Sequence, residues 1–498
     1  MIRMIHDLSQ WLASAMHLSP ATHGFWITLI LRVTLVAVVF LGGISLLAMF
    51  TIWLERKLAG HMQSRLGPVH TGGKFGWAQS IADGLKLLAK EDLMPAGADA
   101  LLFKMAPYMA FVPVFAAFLA LPFGPQFIFE AGLNVGVLYL LAVLSVEVMG
   151  VILAGWASNN KWSIYGAMRE ACQMVSYEVP LGLSILTAVL VAGTLQLTEL
   201  GYLQSGGLQD WFVFHNPFLF IGFVLYFVAS LASNKRAPFD LPESESELVA
   251  GFHTEYSGMR FSFFFFAEYA AMFVVGGIQA ALFLGGWASP LGPADPIYHA
   301  LGFDVIAAAS GYFSGAVDQA QGWSATASAM GFASGTTGSQ AGGVFGPAGL
   351  SLFLLNAYCL VWFVIKAMAI VFIQIWLRWT LPRIRIDQVL HTCVKVLLPM
   401  SLVTLLGCAV WMVVVPQAPG VMIGGQTVAR LGHLFSPTPM VQLVTQCILM
   451  GLGLLVVLSG LGVIVWAWIA ARGTGRPPKS FFTDVMPVGK TVAFTKSK

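Results

Sequence analysis

Asn234-Lys-Arg-Ala-Pro-Phe-Asp-Leu-Pro-Glu-Ser-Glu-Ser-Glu-Leu-Val-Ala-Gly-Phe-His-Thr-Glu-Tyr-Ser-Gly-Met-Arg-Phe261 is the most carboxylate-dense stretch of the chain. In a protein only 10% charged, it sets Asp240, Glu243, Glu245, Glu247 and Glu255 between Lys235, Arg236 and Arg260. Long apolar runs bracket it on both sides, so it reads as a polar loop at the mouth of a membrane-embedded bundle.

The composition agrees. A chain of 498 residues that is 57% hydrophobic differs from a soluble domain, in which charged residues make up roughly a quarter. Crossing the hydrocarbon core takes about 20 apolar residues, and the segments that qualify are 26–54, 105–123, 133–157, 171–198, 215–233, 261–284, 350–377, 394–415 and 440–471. The fold class is therefore an all-α polytopic membrane protein. Residues 1–25 read as an outer segment, because the first apolar run has the length of an ordinary span rather than of a cleavable signal.

Basic residues fix the topology, since Lys and Arg accumulate on the cytoplasmic side. Of 26, 22 fall on one side, among them Arg56, Lys57, Arg65, Lys74, Lys86, Lys90, Arg169, Lys235, Arg236, Arg383 and Arg385; only Arg3 and Arg430 fall on the other, with Arg32 and Lys366 inside spans. The amino terminus is then outside, the carboxyl terminus inside, and the acidic loop 234–260 on the inner face.

In the first inner loop Trp77, Ala78, Ile81, Ala82, Leu85 and Leu88 recur at helical spacing while Asp83, Lys86 and Lys90 share another face. This predicts an amphipathic helix over 74–90, either lying in the membrane interface or packed against a partner subunit. The outer stretch 285–349 is rich in Gly, Ala and Ser; it reads as an insertion too poor in aliphatics to build a core, with a short helix around 306–316. Beyond the outer loop and last span, 416–471, the tail 472–498 reads as an extended inner arm.

Ionisable groups at membrane depth are costly and commonly functional. Glu147, Glu178 and Glu268 fall inside three different spans, each roughly 10–15 Å from the inner end at about 1.5 Å per residue. Singly, each fits a structural ion pair, for instance with Arg32 or Lys366, as well as a proton-transfer role. Together, beneath Glu243, Glu245 and Glu247, they suggest a buried acidic file. The five cysteines, Cys172, Cys359, Cys393, Cys408 and Cys447, are scattered, without the clustering that iron–sulfur or structural zinc sites need, so no metal site is expected.

Trp53-Leu-Glu-Arg-Lys with Arg65-Leu-Gly-Pro, Ser80-Ile-Ala-Asp-Gly-Leu-Lys-Leu-Leu-Ala-Lys-Glu-Asp, Gly166-Ala-Met-Arg-Glu-Ala-Cys-Gln-Met-Val-Ser-Tyr-Glu-Val-Pro, the Arg236–Tyr256 loop, Phe266-Ala-Glu-Tyr and Arg383-Ile-Arg-Ile-Asp-Gln closely resemble the membrane-embedded H subunit of type I NADH:quinone oxidoreductase, respiratory complex I. The likeness runs in order from about residue 25 to about 415. It implies an eight-helix membrane core over 26–415, with 440–471 as an extra C-terminal helix, that builds part of a quinone chamber and connects it to antiporter-like subunits. By the resemblance, Arg56, Lys57, Arg65, Arg169, Arg385 and Asp387 line that chamber. Asp83, Glu178, Glu243, Glu245, Glu247 and Glu268 belong to a proton path, with Glu147 and Glu255 beside them.

The resemblance further implies a bacterial inner-membrane subunit of an NADH-oxidising translocase that holds no redox centre of its own. Quinone would be the substrate, while NADH, FMN and iron–sulfur clusters would be bound by peripheral partner subunits. The heel subunit of a membrane-bound hydrogenase, or of an F420H2 or ferredoxin dehydrogenase, would share these motifs. A stand-alone ion transporter would show internal repeats with paired broken helices, and the acidic spans here occur once each.

Overall fold

The computed structural model describes residues 24–73, 75–128, 133–242, 245–301, 303–305, 308–309, 312 and 347–414, with short pieces between 421 and 455. Helix α1 (Gly24–Met62) has 39 residues and so reaches about 58 Å against a hydrocarbon core of about 30 Å. One end must therefore project past the apolar layer, and the last turns, carrying Glu55, Arg56 and Lys57, are chemically suited to do so.

Helix α2 (Gln79–Ala89) is the expected amphipathic element, but it starts at Gln79 rather than near 74. Gly72, Gly73 and Gly76 have φ of 84°, 90° and 62°, a backbone that suits glycine and cannot continue a helix. Its apolar stripe, Ile81, Leu85 and Leu88 with Trp77 before it, points away from the protein.

Helices α3 (Ala100–Phe118) and α4 (Gly136–Ala157) form an antiparallel pair. The Asp99 carboxylate caps α3 by accepting from the amides of Leu101 and Leu102 at 3.1 and 3.2 Å. Gly150 lets the two backbones meet, since a Cβ there would lie 2.5 Å from the Ala110 nitrogen. Close approach through small residues is how helices gain packing energy in lipid.

Helix α5 (Lys161–Ala192) is capped by Asn160 and ends at Gly193, φ 67°. It begins well before the apolar run expected from 171, because its first turns carry Lys161, Arg169 and Glu170, which hydropathy excludes. The short α6 (Leu197–Leu203) follows, then α7 (Pro217–Ser233), with the Asn216 side chain accepting from the Phe218 amide at 2.9 Å and Pro217 in the first turn.

Helix α8 (Gly258–Phe283) is the axis: 72% of its apolar window is buried, against 22–50% in the other long apolar helices, which keep one side for lipid. Helix α9 (Pro347–Thr380) packs along it. Helix α10 (Ile386–Thr392) runs through a π-helical turn (Cys393–Leu397) into α11 (Leu398–Val414). All eight core spans expected over 26–415 thus fall on helices, and the protein is an all-α polytopic membrane protein apart from one short hairpin pair, Val421–Ile423 with Gln426–Val428. Of the ninth expected span, 440–471, residues 444–445, 447–452 and 455 are described and are helical, while 1–23 and the tail 472–498 lie outside the described residues.

The outer insertion corrects the expectation that it builds no core. Trp287, Ala288, Tyr298, Phe303, Val305, Ala308 and Ala309 are all buried in the main core. Trp287 meets Tyr202 of α6 edge-to-face at 5.1 Å. Counting aliphatics missed the few large aromatics, each of which buries as much apolar area as several small residues. Of the helix expected over 306–316, residues 308, 309 and 312 are described and are helical.

Candidate functional site

After α7 the chain turns inward rather than out to solvent. Lys235 takes φ 53°, and the amides of Lys235 and Arg236 bond back to Ala232 and Leu231 oxygens at 3.2 and 3.0 Å. The Asn234 side chain donates to Gln374 of α9 at 3.1 Å. Phe239, Leu241, Leu248, Phe252 and Tyr256 are buried, and Tyr256 stacks on Phe103 of α3 with ring centroids 4.1 Å apart. Gly166 admits the loop against α5, because a Cβ there would lie 2.7 Å from the Phe252 nitrogen.

This packing carries two cations into the bundle. Arg236 is 0% exposed and joins Glu55 of α1 at 3.1 Å and Glu268 of α8 at 3.0 Å, with its guanidinium 4.6 Å from the centre of the Tyr269 ring. Arg378 of α9 shares Glu55 with it, reaching Oε1 at 2.6 Å, and Arg383 holds Asp240 at 3.1 Å. Lys235, 5% exposed, lies 3.5 Å from Glu147 of α4 and 3.4 Å from Glu170 of α5, and Glu170 is 0% exposed. The expected acidic file is therefore an alternation of acids and bases. Transferring each ion from water costs several kcal/mol, which partners must offset, so removing one partner harms more than removing both.

Two groups outside the spans sense this surrounding. Burial, and secondarily the Lys235 charge, push the His253 imidazole down to about 4. Burial likewise raises the Tyr256 phenol.

The residues expected from sequence fall into three groups. Glu147 and Glu268 enter the buried alternation. Arg56 pairs with Asp83, fastening α2 to α1, while Trp53 Nε1 donates to Phe75 O at 3.0 Å and Ser80 Oγ to Met49 O at 2.9 Å. Lys57 donates to Pro68 O at 2.7 Å, Arg65 to Gln63 at 2.7 Å, and a recess of about 400 Å³ opens between Arg56, Arg65 and the 66–68 turn. Arg169 reaches Glu247 at 2.5 Å and Asn160 holds Glu255. Arg385 and Asp387 are exposed at the start of α10.

Glu178 departs from the expectation of burial. It lies on an exposed flank of α5, accepts from Ser145 of α4, and borders a cavity of about 30 Å³ shared with Tyr177 and Tyr226. Such a space has room for a water molecule. Glu243 and the Glu245 side chain lie outside the described residues, and so does the Arg32 side chain. Lys366, offered as a counter-ion, instead donates to backbone oxygens of Leu284, Gly286 and Ala288 at 2.7, 3.1 and 2.6 Å.

Sequence reasoning missed Glu55, Glu170, Asp240, Arg378 and Arg383 as members, and Lys235 and Arg236 as buried. The signal that could have found Glu170 is the stripe it shares on α5: Ser163, Gly166, Gln173 and Tyr177 lie three or four residues apart on the same face, and all are buried with it.

Comparison with known proteins shows the family. The family model described as NADH dehydrogenase matches residues 33–409. The chain is similar to the NADH-quinone oxidoreductase H subunit of Chlorobium luteolum, 43% identical over 369 residues, 74% of this chain and 85% of that one. It is also similar to the H subunit of Chlorobaculum tepidum, 41% identical over 401 residues, 79% and 97%, and to that of Geobacillus kaustophilus, 39% identical over 403 residues, 81% and 98%.

Proposed function

The chain belongs to the NADH dehydrogenase family, among the H subunits of NADH-quinone oxidoreductase, and from this membership we propose that it forms part of the quinone chamber and couples quinone reduction to proton translocation. It is a multi-pass membrane subunit of an enzyme complex, with the other subunits as its partners. In this reading peripheral partners deliver electrons at the inner face and antiporter-like partners flank the bundle. The amino terminus lies outside and the carboxyl terminus in the cytoplasm of a bacterial inner membrane.

One observation carries the proposal. Glu55 and Arg56 are consecutive on α1 yet enter different networks: Arg56 faces Asp83 and the recess near Arg65, while Glu55 faces Arg236 and, through it, Glu268. On α1, Arg56 and Lys57, proposed to line the chamber together with Arg65, Arg169, Arg385 and Asp387, thus directly follow Glu55 of the buried alternation. Reducing quinone to quinol takes up two electrons and two protons, and the transient charge shifts the field on Arg56 and on the Arg169–Glu247 pair. The ion pairs beneath then repartition, and protons move among Glu268, Glu147 and Glu178, with Asp83, Glu243, Glu245, Glu247 and Glu255 at the inner rim.

The magnitudes agree. Moving one charge against 100 mV takes about 2.3 kcal/mol, which a displacement of one or two pKa units supplies at about 1.4 kcal/mol each. In the assembled complex, Glu268→Gln should leave NADH oxidation by a water-soluble acceptor intact and depress quinone-linked proton pumping. Normal pumping by that variant would overturn the coupling role.

A further inference from the structure

We infer that Lys235 is a two-position counter-ion, a positioning residue whose ammonium is shared between Glu147 and Glu170 and moves toward one as the other takes a proton. The inference rests on the proton-coupling reading above and adds to it a residue, Glu170, and a rule for when Glu147 can be charged.

The geometry sets the terms. Lys235 Nζ is 3.5 Å from Glu147 and 3.4 Å from Glu170, separations longer than the 2.7–2.9 Å of a committed ammonium–carboxylate hydrogen bond. Neither Glu170 oxygen has a hydrogen-bond partner although the residue is fully buried. The ammonium is therefore placed between two acceptors rather than on one.

Among the described residues, the other charges acting on this pair are engaged or neutral. Glu268 is held by Arg236 at 3.0 Å and Asp240 by Arg383 at 3.1 Å. His253, on the turn above, is uncharged near neutral pH, and the Phe252 ring flanks the ammonium at 5.5 Å. Among the described residues, two acids share one base inside the bundle and leave one excess negative charge, which burial disfavours. One proton on the pair removes it. With the proton on Glu147 the ammonium settles on Glu170; with the proton on Glu170, or lost to the next carrier, it settles on Glu147. Lys235 belongs to the inner loop while Glu147 and Glu170 sit on α4 and α5, so proton load and loop position become one variable.

Counting charges gives the test, run on the assembled complex in proteoliposomes with soluble-acceptor NADH oxidation as the measure of assembly. E170Q leaves one acid opposite one base, so Glu147 stays ionised and coupled turnover falls by more than about tenfold, the factor of one pKa unit. K235M leaves two acids and no base and falls at least as far, whereas K235R keeps most of the turnover. The double variant E170Q/K235M again has a lone acid free to take a proton, and it exceeds both single variants. Additive losses in that cycle, or retention by K235M together with loss in K235R, as a packing role requires, overturn the inference. Should K235M not assemble, the pH profile decides: E170Q shifts the optimum of coupled turnover by about one unit or more, and an unshifted optimum overturns it. Glu268→Gln separates the two levels. Pumping untouched by that variant sinks the coupling reading itself, while pumping blocked there beside an additive cycle here sinks the counter-ion alone.

Discussion

Arg236 Nη2 lies 3.0 Å from Glu268 Oε1, and the same guanidinium lies 3.1 Å from Glu55, so one fully buried cation ties α1 and α8 together from the inner loop. Arg378 shares Glu55, but Glu268 has no other ion pair among the described residues. Removing Arg236 strands Glu268 as an isolated anion. Arg236→Met should therefore destabilise the subunit by about 3–5 kcal/mol, the range for breaking a buried pair. Arg236→Met with Glu268→Gln should recover a large part of that loss. Thermal unfolding of the purified complex reads both, and a double variant no better than the single one would contradict the pairing.

Lys366 performs the equivalent task at the other end of α8. Its ammonium donates to three carbonyl oxygens just past the helix terminus and lies 4.4 Å from the centre of the Trp211 ring. A cation at a helix C-terminus meets the negative end of the dipole and the unpaired carbonyls together. Lys366→Met keeps the stem packing but leaves those carbonyls unsatisfied at about 1–3 kcal/mol for each buried group. The expected result is a lower unfolding temperature with quinone-linked turnover per assembled complex unchanged; equal melting of variant and parent would refute the role.

How much of this was legible beforehand differs by element. The eight core helices follow from apolar run length alone, because lipid demands it. Helix ends were misplaced where polar residues continue a helix, as from Lys161 to Glu170, since hydropathy reads solvent preference and not backbone pairing. Glu147 and Glu268 were found because a carboxylate inside an apolar run stands out. Lys235 and Arg236 were not placed inside, because in sequence they look like ordinary inner-face cations. Only the inward turn after Ser233 buries them, and that turn depends on contacts from Phe239, Phe252 and Tyr256 with distant helices.

Two groups outside the spans give opposite pH slopes. Burial raises Asp210 from 3.8 to about 7, so the folded state binds more protons and stability is lost as pH climbs from about 4 to 7. His253 is lowered from 6.5 to about 4 by burial and then by Lys235, so stability is lost as pH falls over nearly the same window. At about 1.36 kcal/mol per unit the two terms are at most about 4 and 3 kcal/mol, and they nearly cancel in the parent. Between pH 4 and 7, the unfolding temperature of Asp210→Asn relative to parent should rise with pH, and that of His253→Gln should fall. Parallel curves for either variant would show that its group does not titrate there.

The Arg56–Asp83 pair is the opposite case to Arg236. Its side chains are 40% and 31% exposed, and exposed pairs contribute about 0–1 kcal/mol. Its importance must then lie in where it holds α2, which is also joined to α1 by the Ser80 hydroxyl on Met49 O, with Trp53 of α1 fixing Phe75 in the turn before it. Asp83→Asn should leave the unfolding temperature within about a degree or two of the parent, as so small an energy implies for a protein of this size. Quinone-linked turnover should nevertheless drop severalfold, with the loss concentrated in the apparent KM for quinone, because Asp83 holds Arg56, which lines the recess beside Arg65. Exchanging the charges, Arg56→Asp with Asp83→Arg, re-forms the tie between the helices but moves the cation off α1. Recovery of turnover in the exchanged pair would assign the effect to helix position, and its absence would assign it to the Arg56 charge facing the recess.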